Sequence, residues 1–435
     1  NKGVGYGAFY QSHPEMFSNL PTLTFNYLGQ FNQRKGDWGV VPGTSGFSVD
    51  KENHKAHVLG MNGRVLKGEL SFSLSTSISK SLADNLALTF KTRLIEVINH
   101  CKNQTTSRYT PCDFETVKIS QGLLSKLQES DGNIEVIYPA SSLQQGFIYH
   151  ALTQPNDDAY RVQVLLDYKN QLDVSAYKKA WQLVIKTYPI LRTYFNWDED
   201  IIQVISNDAP LHYTYHDIHK KKNKDKAIDV IQQDDRKSAF DLQSKGLLRI
   251  HLIKQSEAHY TLIKSMHHSI TDGWSGPILF NKLHSYYKQI SQGETPKIEV
   301  DTAYAQAQAY IAKHKTKVNE YWKESLTNII GVNDLNALLS KRVDLDKIRT
   351  VVSPKVCKIS VADDSYKKLK KAITGAGVSL HAVVQFAWHK LINTYTGDKE
   401  TIVGTTVSGR ALPIVGIDKS VGLFINTLPL KVKWE

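Results

Sequence analysis

Cysteine is scarce in this chain of 435 residues. It contains three cysteines, Cys101, Cys112 and Cys357, and their spacing fits neither a disulfide framework nor a zinc motif. Few and unpaired cysteines are typical of proteins that work in a reducing compartment. The sequence therefore predicts a cytoplasmic location.

Long hydrophobic runs are also absent. No stretch approaches the roughly 20 apolar residues of a membrane span, and no signal-peptide pattern opens the chain. Low-complexity tracts and fixed-period repeats are missing too. The length predicts two or three globular units. Because the chain starts at Asn1 and stops at Glu435 just after a strand-like run, we expect both ends to be cuts through a longer polypeptide.

Acidic residues are outnumbered, and the formal net charge is +12. Such a charge permits nucleic acid, an anionic membrane or an acidic protein as partner. Its densest part, His219 to Lys226, lacks the aromatic interleaving of nucleic-acid-binding segments and is typical of a solvated loop or helix start. We therefore expect neither a nucleic-acid nor a membrane partner.

Periodicity predicts the secondary structure of the first 132 residues. Alternating apolar residues predict strands over 22–29 and 68–74, and an amphipathic pattern over 82–98 predicts a helix. Residues 102–132 are polar apart from a short helical piece around Leu124, so we interpret them as an ordered linker.

The rest of the chain mixes helices and strands. The patterns predict helices over 143–152, 174–187, 304–326, 365–373 and 380–395, and strands over 160–166, 192–195, 259–266, 356–361 and 401–407. In the 259–266 strand Tyr260, Leu262 and Met266 share one face, and a helix start follows at Ser275. This order predicts an α/β or α+β sandwich of two similar lobes.

The most informative stretch is His267 to Ser275, which reads His-His-Ser-Ile-Thr-Asp-Gly-Trp-Ser. It lies between a predicted strand and a predicted helix, where a fold can hold an imidazole as general base. Adjacent histidines on extended backbone point to opposite faces, so one of them faces a given cleft. Asp272 can orient an imidazole or pair with a cation, and Gly273 allows a close backbone approach or a positive φ.

Other chemistries find less support. A metal site needs further ligands, and His251 and His284 have no recognisable spacing, so we expect no metal. A serine hydrolase needs a Gly-x-Ser-x-Gly elbow, which is missing. Cys357 has no basic surroundings that the sequence reveals, and we expect it to be a buried core thiol.

The stretch from His267 to Ser275 resembles the signature of condensation domains of nonribosomal peptide synthetases, which share the chloramphenicol acetyltransferase-like fold. Five further stretches resemble the family's other motifs in the expected order: 138–146, 191–195, 240–249, 407–410 and 421–427. Thr187 and Tyr188 depart from the Arg-His that usually opens the second motif. The resemblance implies an α/β two-lobed sandwich whose second lobe is incomplete.

The resemblance also implies the reaction. The amine of one carrier-bound aminoacyl thioester attacks a second thioester, with His268 beside the attacking nitrogen, either accepting its proton or hydrogen-bonding it. The backbone around Gly273 is the candidate donor to the oxyanion. In relatives an arginine pairs with the motif aspartate, which implies a contact between Arg192 and Asp272.

The remaining site residues follow from the same resemblance. His267 shapes the loop, Trp274 and Ser275 support it, and the substrate-tunnel candidates are Ser408, Arg410 and Asn426. No cofactor is expected to bind directly, because phosphopantetheine arms arrive on upstream and downstream peptidyl carrier proteins. An adenylation domain in the same parent chain is the other expected partner.

The first hundred residues resemble the closing segment of an epimerization domain, through residues 1–7, 25–31 and 62–70. The implied organisation is an epimerization-domain segment over 1–101, a linker over 102–132, and condensation lobes over 133–300 and 301–435, the second truncated. An epimerization domain delivers a D-residue, so the resemblance implies a D-donor and an L-acceptor. Residues 143–150 resemble the subtype with that preference.

Two alternatives remain open. A stand-alone acyltransferase of the same superfamily would use the same histidine on a free acceptor. A non-catalytic module would only dock carrier proteins, although the intact His268, Asp272 and Arg192 argue against it.

Overall fold

The computed structural model describes residues 22–31, 57–66, 68–103, 108–155, 157–327, 333–344 and 356–435, with a few scattered positions besides. The chain divides into two compact units, residues 1–107 and 108–435. Residues 1–7, which carry part of the epimerization-like pattern, lie outside the described residues.

The first unit is a small sheet followed by a helix. Its elements are β1 (Leu23–Phe31), β2 (Leu59–Leu66), β3 (Glu69–Thr76) and α1 (Lys80–Lys102). Strand β2 lies in the centre, parallel to β1 and antiparallel to β3. The ring of Phe72 on β3 contacts those of Phe25 and Phe90, so side chains of the two outer strands and the helix share one small cluster. Both predicted strands and the predicted helix are present.

The residues predicted to form a linker divide between the two units. The first of them complete α1, whereas residues from Arg108 onward belong to the second unit. There α2 (Gln121–Ser130) buries three leucines, and Leu124 packs in one cluster with Phe114 and Ile137. The sequence showed this short helical piece but not its packing against β4, and the segment from Arg108 onward contributes to a core of the second unit.

The second unit contains mixed sheets and helices, as the sequence predicts. Its elements are β4 (Ile134–Pro139), α3 (Ser142–Thr153), β5 (Arg161–Tyr168), α4 (Val174–Thr187), β6 (Thr193–Asn196), β7 (Ile202–Ser206), β8 (His212–Asp217), α5 (Lys224–Lys237), β9 (Leu248–Ser256), β10 (His259–His267), α6 (Ser275–Ser291), α7 (Ala303–Thr327), α8 (Asp363–Gly375), α9 (Leu380–Thr396), β11 (Glu400–Val407) and β12 (Asn426–Lys433). The sheets run β5-β10-β9-β8, β4-β7-β6 and β11-β12.

Strand β10 is the element that positions the histidine motif. It pairs with β5 on one side and β9 on the other. Leu262 packs with Trp181 and Leu283 in the main core, whereas Ile263 packs with Ile228 in a second cluster on the other face. The sequence pattern predicted one apolar face for this strand, whereas the structure buries both of its faces. A strand that is paired along both edges and buried on both faces gives the motif a rigid base.

One predicted strand is absent. Residues 356–361 form no ladder, and the side chain of Ile359 is 91% exposed. Alternating apolar residues form a strand only when a neighbouring strand accepts their backbone hydrogen bonds, and none of the described strands lies beside this segment. Cys357 is exposed rather than buried, so the expected core thiol is wrong.

Across the described ranges, every helix is too short or too polar to cross a lipid bilayer.

Candidate active site

The two motif histidines occupy different backbone environments. His267 is the last residue of β10, whereas His268 lies in the turn that follows. Adjacent side chains point to opposite faces only on extended backbone. Because His268 lies in a turn, the two histidine side chains need not point apart. Both rings lie near Phe147, with centroid distances of 6.5 Å for His267 and 5.5 Å for His268. The site is therefore built on one aromatic side chain from α3.

His267 is the buried member of the pair. It is 5% exposed, and its Nδ1 lies 2.8 Å from the hydroxyl of Ser269. Burial, together with the nearby His268, Arg161 and His150, lowers its pKa to about 4. His267 is therefore neutral at pH 7 and shapes the turn through Ser269.

The low pKa of His267 predicts an acid-sensitive fold. Below about pH 6.5 the unfolded chain protonates this imidazole while the folded chain does not. The stabilisation is complete above that pH and is lost as the pH falls toward the folded pKa of about 4. Relative to His267→Asn, the wild type should lose roughly 2–3 kcal/mol of unfolding free energy between pH 7 and pH 4. Urea unfolding at both pH values measures this. A variant of an exposed histidine, His219→Asn, should keep the wild-type slope; equal slopes for His267→Asn and wild type would contradict the assignment.

His268 has the geometry of a general base. It is half-buried, and its Nδ1 lies 2.7 Å from the carbonyl oxygen of Thr271. A carbonyl can only accept a hydrogen bond, so Nδ1 carries the hydrogen and Nε2 is left with its lone pair. The main-chain N–H of His268 donates to the carbonyl of Tyr160 at 2.8 Å. Backbone and ring are thus both fixed, with the basic nitrogen on Nε2.

Asp272 is the centre of a buried hydrogen-bond network. Its Oδ1 accepts from the main-chain N–H and the hydroxyl of Ser275, at 2.9 and 2.8 Å. Its Oδ2 accepts from the main-chain N–H of Phe424 at 3.1 Å. The guanidinium of Arg410 donates to Oδ1 at 3.1 Å, and the two side chains are 0% and 7% exposed. The carboxylate therefore joins the start of α6 to a segment about 150 residues later.

Arg410 and Ser275 complete the network. Arg410 also donates to the carbonyls of Ile417 and Ser420, at 2.7 and 2.8 Å. The hydroxyl oxygen of Ser275, whose hydrogen goes to Asp272, accepts from the main-chain N–H of Gly422 at 3.1 Å. Arg410, which the resemblance makes a substrate-tunnel candidate, ties the 417–424 segment to the motif.

The expected pairing of Arg192 with Asp272 is wrong. The Arg192 guanidinium donates to the carboxylate of Glu135 and the carbonyl of Ser206, so it lies against the β4-β7-β6 sheet. The position opposite Asp272 is filled by Arg410. Motif order shows that an arginine is available, but only the packing of the 417–424 segment decides which one reaches the aspartate.

The other predicted site residues contribute less to the hydrogen-bond network around Asp272. Gly273 has no positive φ, so that reason for the glycine does not hold, and a Cβ there would meet no protein atom within 4 Å. Trp274 is 57% exposed. The hydroxyl of Ser408 accepts from the N–H of Arg410 at 3.3 Å, which supports the network indirectly. Asn426 is exposed at the start of β12, where it pairs with Val407 of β11, and its side-chain oxygen accepts from the main-chain N–H of Thr427 at 2.9 Å.

A glutamine that sequence reasoning did not single out supports the motif turn. Gln144 is fully buried on α3, and its amide donates to the carbonyl of Ser269 at 3.0 Å and to Gln203 at 3.2 Å. The hydroxyl of Tyr304 donates to the same Gln203 oxygen at 2.8 Å. The available signal was a Ser-x-x-Gln capping box, which Ser141 and Gln144 form. It indicated a helix start but not a contact with the turn.

Metal ligation finds no geometric support within the described part of the chain, where no three His, Cys, Asp or Glu side chains converge.

Sequence comparisons relate most of this chain to one family of proteins. Residues 134–435 match the condensation domain family model. The chain is 35% identical over 315 residues to N-(5-amino-5-carboxypentanoyl)-L-cysteinyl-D-valine synthase of Penicillium rubens, covering 70% of this chain and 8% of that protein. It is 29% identical over 454 residues to bacitracin synthase 3 of Bacillus licheniformis, covering 100% of this chain and 7% of that protein. The chain thus spans less than a tenth of either relative.

Solved structures show the same fold. The first condensation domain of the calcium-dependent antibiotic synthetase, in complex with a substrate analogue, superposes with a TM-score of 0.52 at 19% identity, covering 69% of this chain and 71% of that one. The starter condensation domain of the rhizomide synthetase gives 0.51 at 17% identity, covering 69% and 68%. The match over residues 134–435 extends across the histidine motif and its network, and this chain belongs to the condensation-domain family of nonribosomal peptide synthetases.

Proposed function

We propose that residues 134–435 form an amide bond between two carrier-bound thioesters in nonribosomal peptide synthesis. Condensation domains of synthetases catalyse amide formation. The observation that carries the proposal for this chain is His268, whose Nδ1 is held by the carbonyl of Thr271. Its Nε2 is thereby the basic nitrogen, on a turn that Asp272 and Arg410 lock in place.

The chemistry uses few protein groups. The acceptor amine attacks the donor carbonyl carbon, forming the C–N bond. His268 Nε2 accepts the amine proton or hydrogen-bonds it as charge develops. The C–S bond then breaks, and the departing sulfur takes a proton to leave as the phosphopantetheine thiol. Both reactants are tethered, so most of the rate gain comes from proximity.

The negative charge on the donor oxygen needs hydrogen-bond donors. The main-chain N–H groups of Asp272 and Ser275 are used within the network. The N–H of Gly273 has no acceptor among the residues that the structure describes. An unused N–H beside the histidine is suited to an oxyanion, which supports Gly273 as the donor.

The donor is the D-configured residue in our proposal, and the acceptor is L-configured. The resemblance of residues 25–31 and 62–70 to an epimerization domain supports this, as does that of residues 143–150 to the D-donor subtype. Bacitracin synthase 3 and bacitracin synthase 1 each match over 100% of this chain, so residues before 108 have counterparts in synthetases too. Upstream and downstream peptidyl carrier proteins and an adenylation domain are the proposed partners.

Stereochemistry tests this proposal directly. We expect the polypeptide that carries these residues to form amide at least about tenfold faster from a D-aminoacyl donor than from its L-enantiomer, since a misplaced carbonyl loses the proximity advantage. The assay follows the product on the acceptor carrier after loading either enantiomer. The matched control compares the L- and D-enantiomers of the acceptor aminoacyl group, and we expect faster amide formation with the L-enantiomer. Equal rates with both donors would overturn the D-donor assignment.

A further inference from the structure

Tyr160 has an unusual backbone conformation beside the histidine motif. Its φ is +64°, and among the described residues Asp363 is the other non-glycine residue with a positive φ. A Cβ makes this region unfavourable, and aspartate tolerates it better than a bulky aromatic residue does. Strain of this kind persists only where the surroundings enforce it, and it is concentrated at functional sites.

The backbone of Tyr160 forms the last contact between β5 and the motif. The β5–β10 ladder ends with Arg161 opposite His267. One step further, the carbonyl of Tyr160 accepts the N–H of His268 at 2.8 Å. Tyr160, with its left-handed backbone, thus lies immediately before the first residue of β5, at the point where His268 leaves β10, and the hydrogen bond fixes where His268 begins its turn.

The ring of Tyr160 supports the same histidine through Phe147. Its centroid lies 4.3 Å from that of Phe147, which is 6% exposed. Phe147 in turn lies 5.5 Å from the His268 ring at an interplanar angle of 34°. His150 packs edge-on against Tyr160 at 5.1 Å. Tyr160 therefore reaches His268 by two separate routes, one through the backbone and one through the aromatic pair.

Neighbouring side chains hold Tyr160 in this conformation. The guanidinium of Arg161 donates to the carbonyls of Asp157 and Arg236, at 3.1 and 2.9 Å. The carboxylate of Asp157 lies 3.2 Å from Nε2 of His150. The residues on both sides of Tyr160 are thus anchored to β5, α3 and α5.

We propose that Tyr160 is a positioning residue for His268, acting through its left-handed backbone and through its ring on Phe147. Its effect on turnover rests on the proposed function of His268. Its effect on the geometry of His268 does not, so the two can be tested separately.

The test uses Tyr160→Val, which disfavours a positive φ, and Tyr160→Gly, which permits it but lacks the ring. Tyr160→Phe is the conservative variant, because it keeps the aromatic ring that packs on Phe147. The first readout is activity-independent: amide exchange at His268 and NMR signals of its imidazole. We expect Tyr160→Val to speed exchange at least about tenfold, and Tyr160→Gly to keep near-wild-type exchange while shifting the imidazole signals.

The second readout is amide formation. Tyr160→Val should lower kcat by about ten- to a hundredfold with KM changed less than about twofold, because bound substrates meet a misplaced base. Tyr160→Phe should restore most of kcat. The matched control is Asp363→Val, which places the same β-branched residue at the other described non-glycine position with a positive φ and should leave the His268 signals unchanged.

Wild-type His268 signals and wild-type kcat in Tyr160→Val would overturn the proposal. An equal loss of kcat in Asp363→Val would overturn it as well, because the effect would then be general destabilisation. If the wild type forms no amide, the proposed function fails, and the exchange and NMR readouts still decide whether Tyr160 positions His268.

Discussion

We expect that replacing His268 with alanine abolishes the proposed amide formation and leaves the second unit folded. The imidazole supplies the basic Nε2, while its Nδ1 bonds one carbonyl at the edge of the turn. Its removal therefore takes away the general base without opening the core. We expect the rate to fall by about 10²–10⁴-fold, the usual contribution of a positioned acid or base. Single-turnover transfer between two loaded carrier proteins measures the effect.

The control is a histidine on the same unit that takes no part in the site. His219 has a side chain that is 41% exposed, and it pairs with Asp217. His219→Ala should keep wild-type turnover, and both variants should unfold within a few degrees of the wild type. Near-wild-type amide formation by His268→Ala would remove the basis of the proposed mechanism.

The second large effect is expected at the buried pair of Asp272 and Arg410. Asp272→Asn leaves the guanidinium buried without a counter-charge, because the two side chains are 0% and 7% exposed. Breaking a buried ion pair costs about 3–5 kcal/mol of unfolding free energy. Turnover should fall as well, since a motif turn that shifts by about 1 Å loses about a hundredfold in rate. Denaturant unfolding and the carrier assay measure the two losses.

Double-mutant cycles identify the partner of Asp272. A cycle of Asp272→Asn with Arg410→Met should show a coupling energy of about 1.5 kcal/mol or more, as expected for contacting residues. A cycle with Arg192→Met should be additive within about 0.5 kcal/mol, because Arg192 bonds Glu135 instead. Coupling to Arg192 with additivity at Arg410 would favour the pairing that the motif order suggested and contradict the structure.

Much of the local structure was predictable from periodicity. The α4 helix has the predicted bounds of Val174–Thr187, and the strand before the histidines ends one residue later than predicted. The failures share a physical cause. Residues 356–361 have the pattern of a strand but no neighbouring strand among the described residues, and the leucines of α2, which the sequence shows as a helical piece, pack into a core that it does not show. Periodicity shows which residues prefer burial, and not what buries them.

The candidate site divides in the same way. The sequence alone identified the motif and its place between a strand and a helix, because those depend on residues adjacent in the chain, and the resemblance pointed to His268 as the candidate base. Tertiary structure decided that Nε2 is the basic nitrogen, through the carbonyl of Thr271. It also decided that Arg410 rather than Arg192 neutralises Asp272, and that Gln144 and Tyr160 hold the turn. Apart from the contact with Thr271, these contacts join residues more than 100 positions apart, and a linear pattern records the presence of such residues without recording which of them meet.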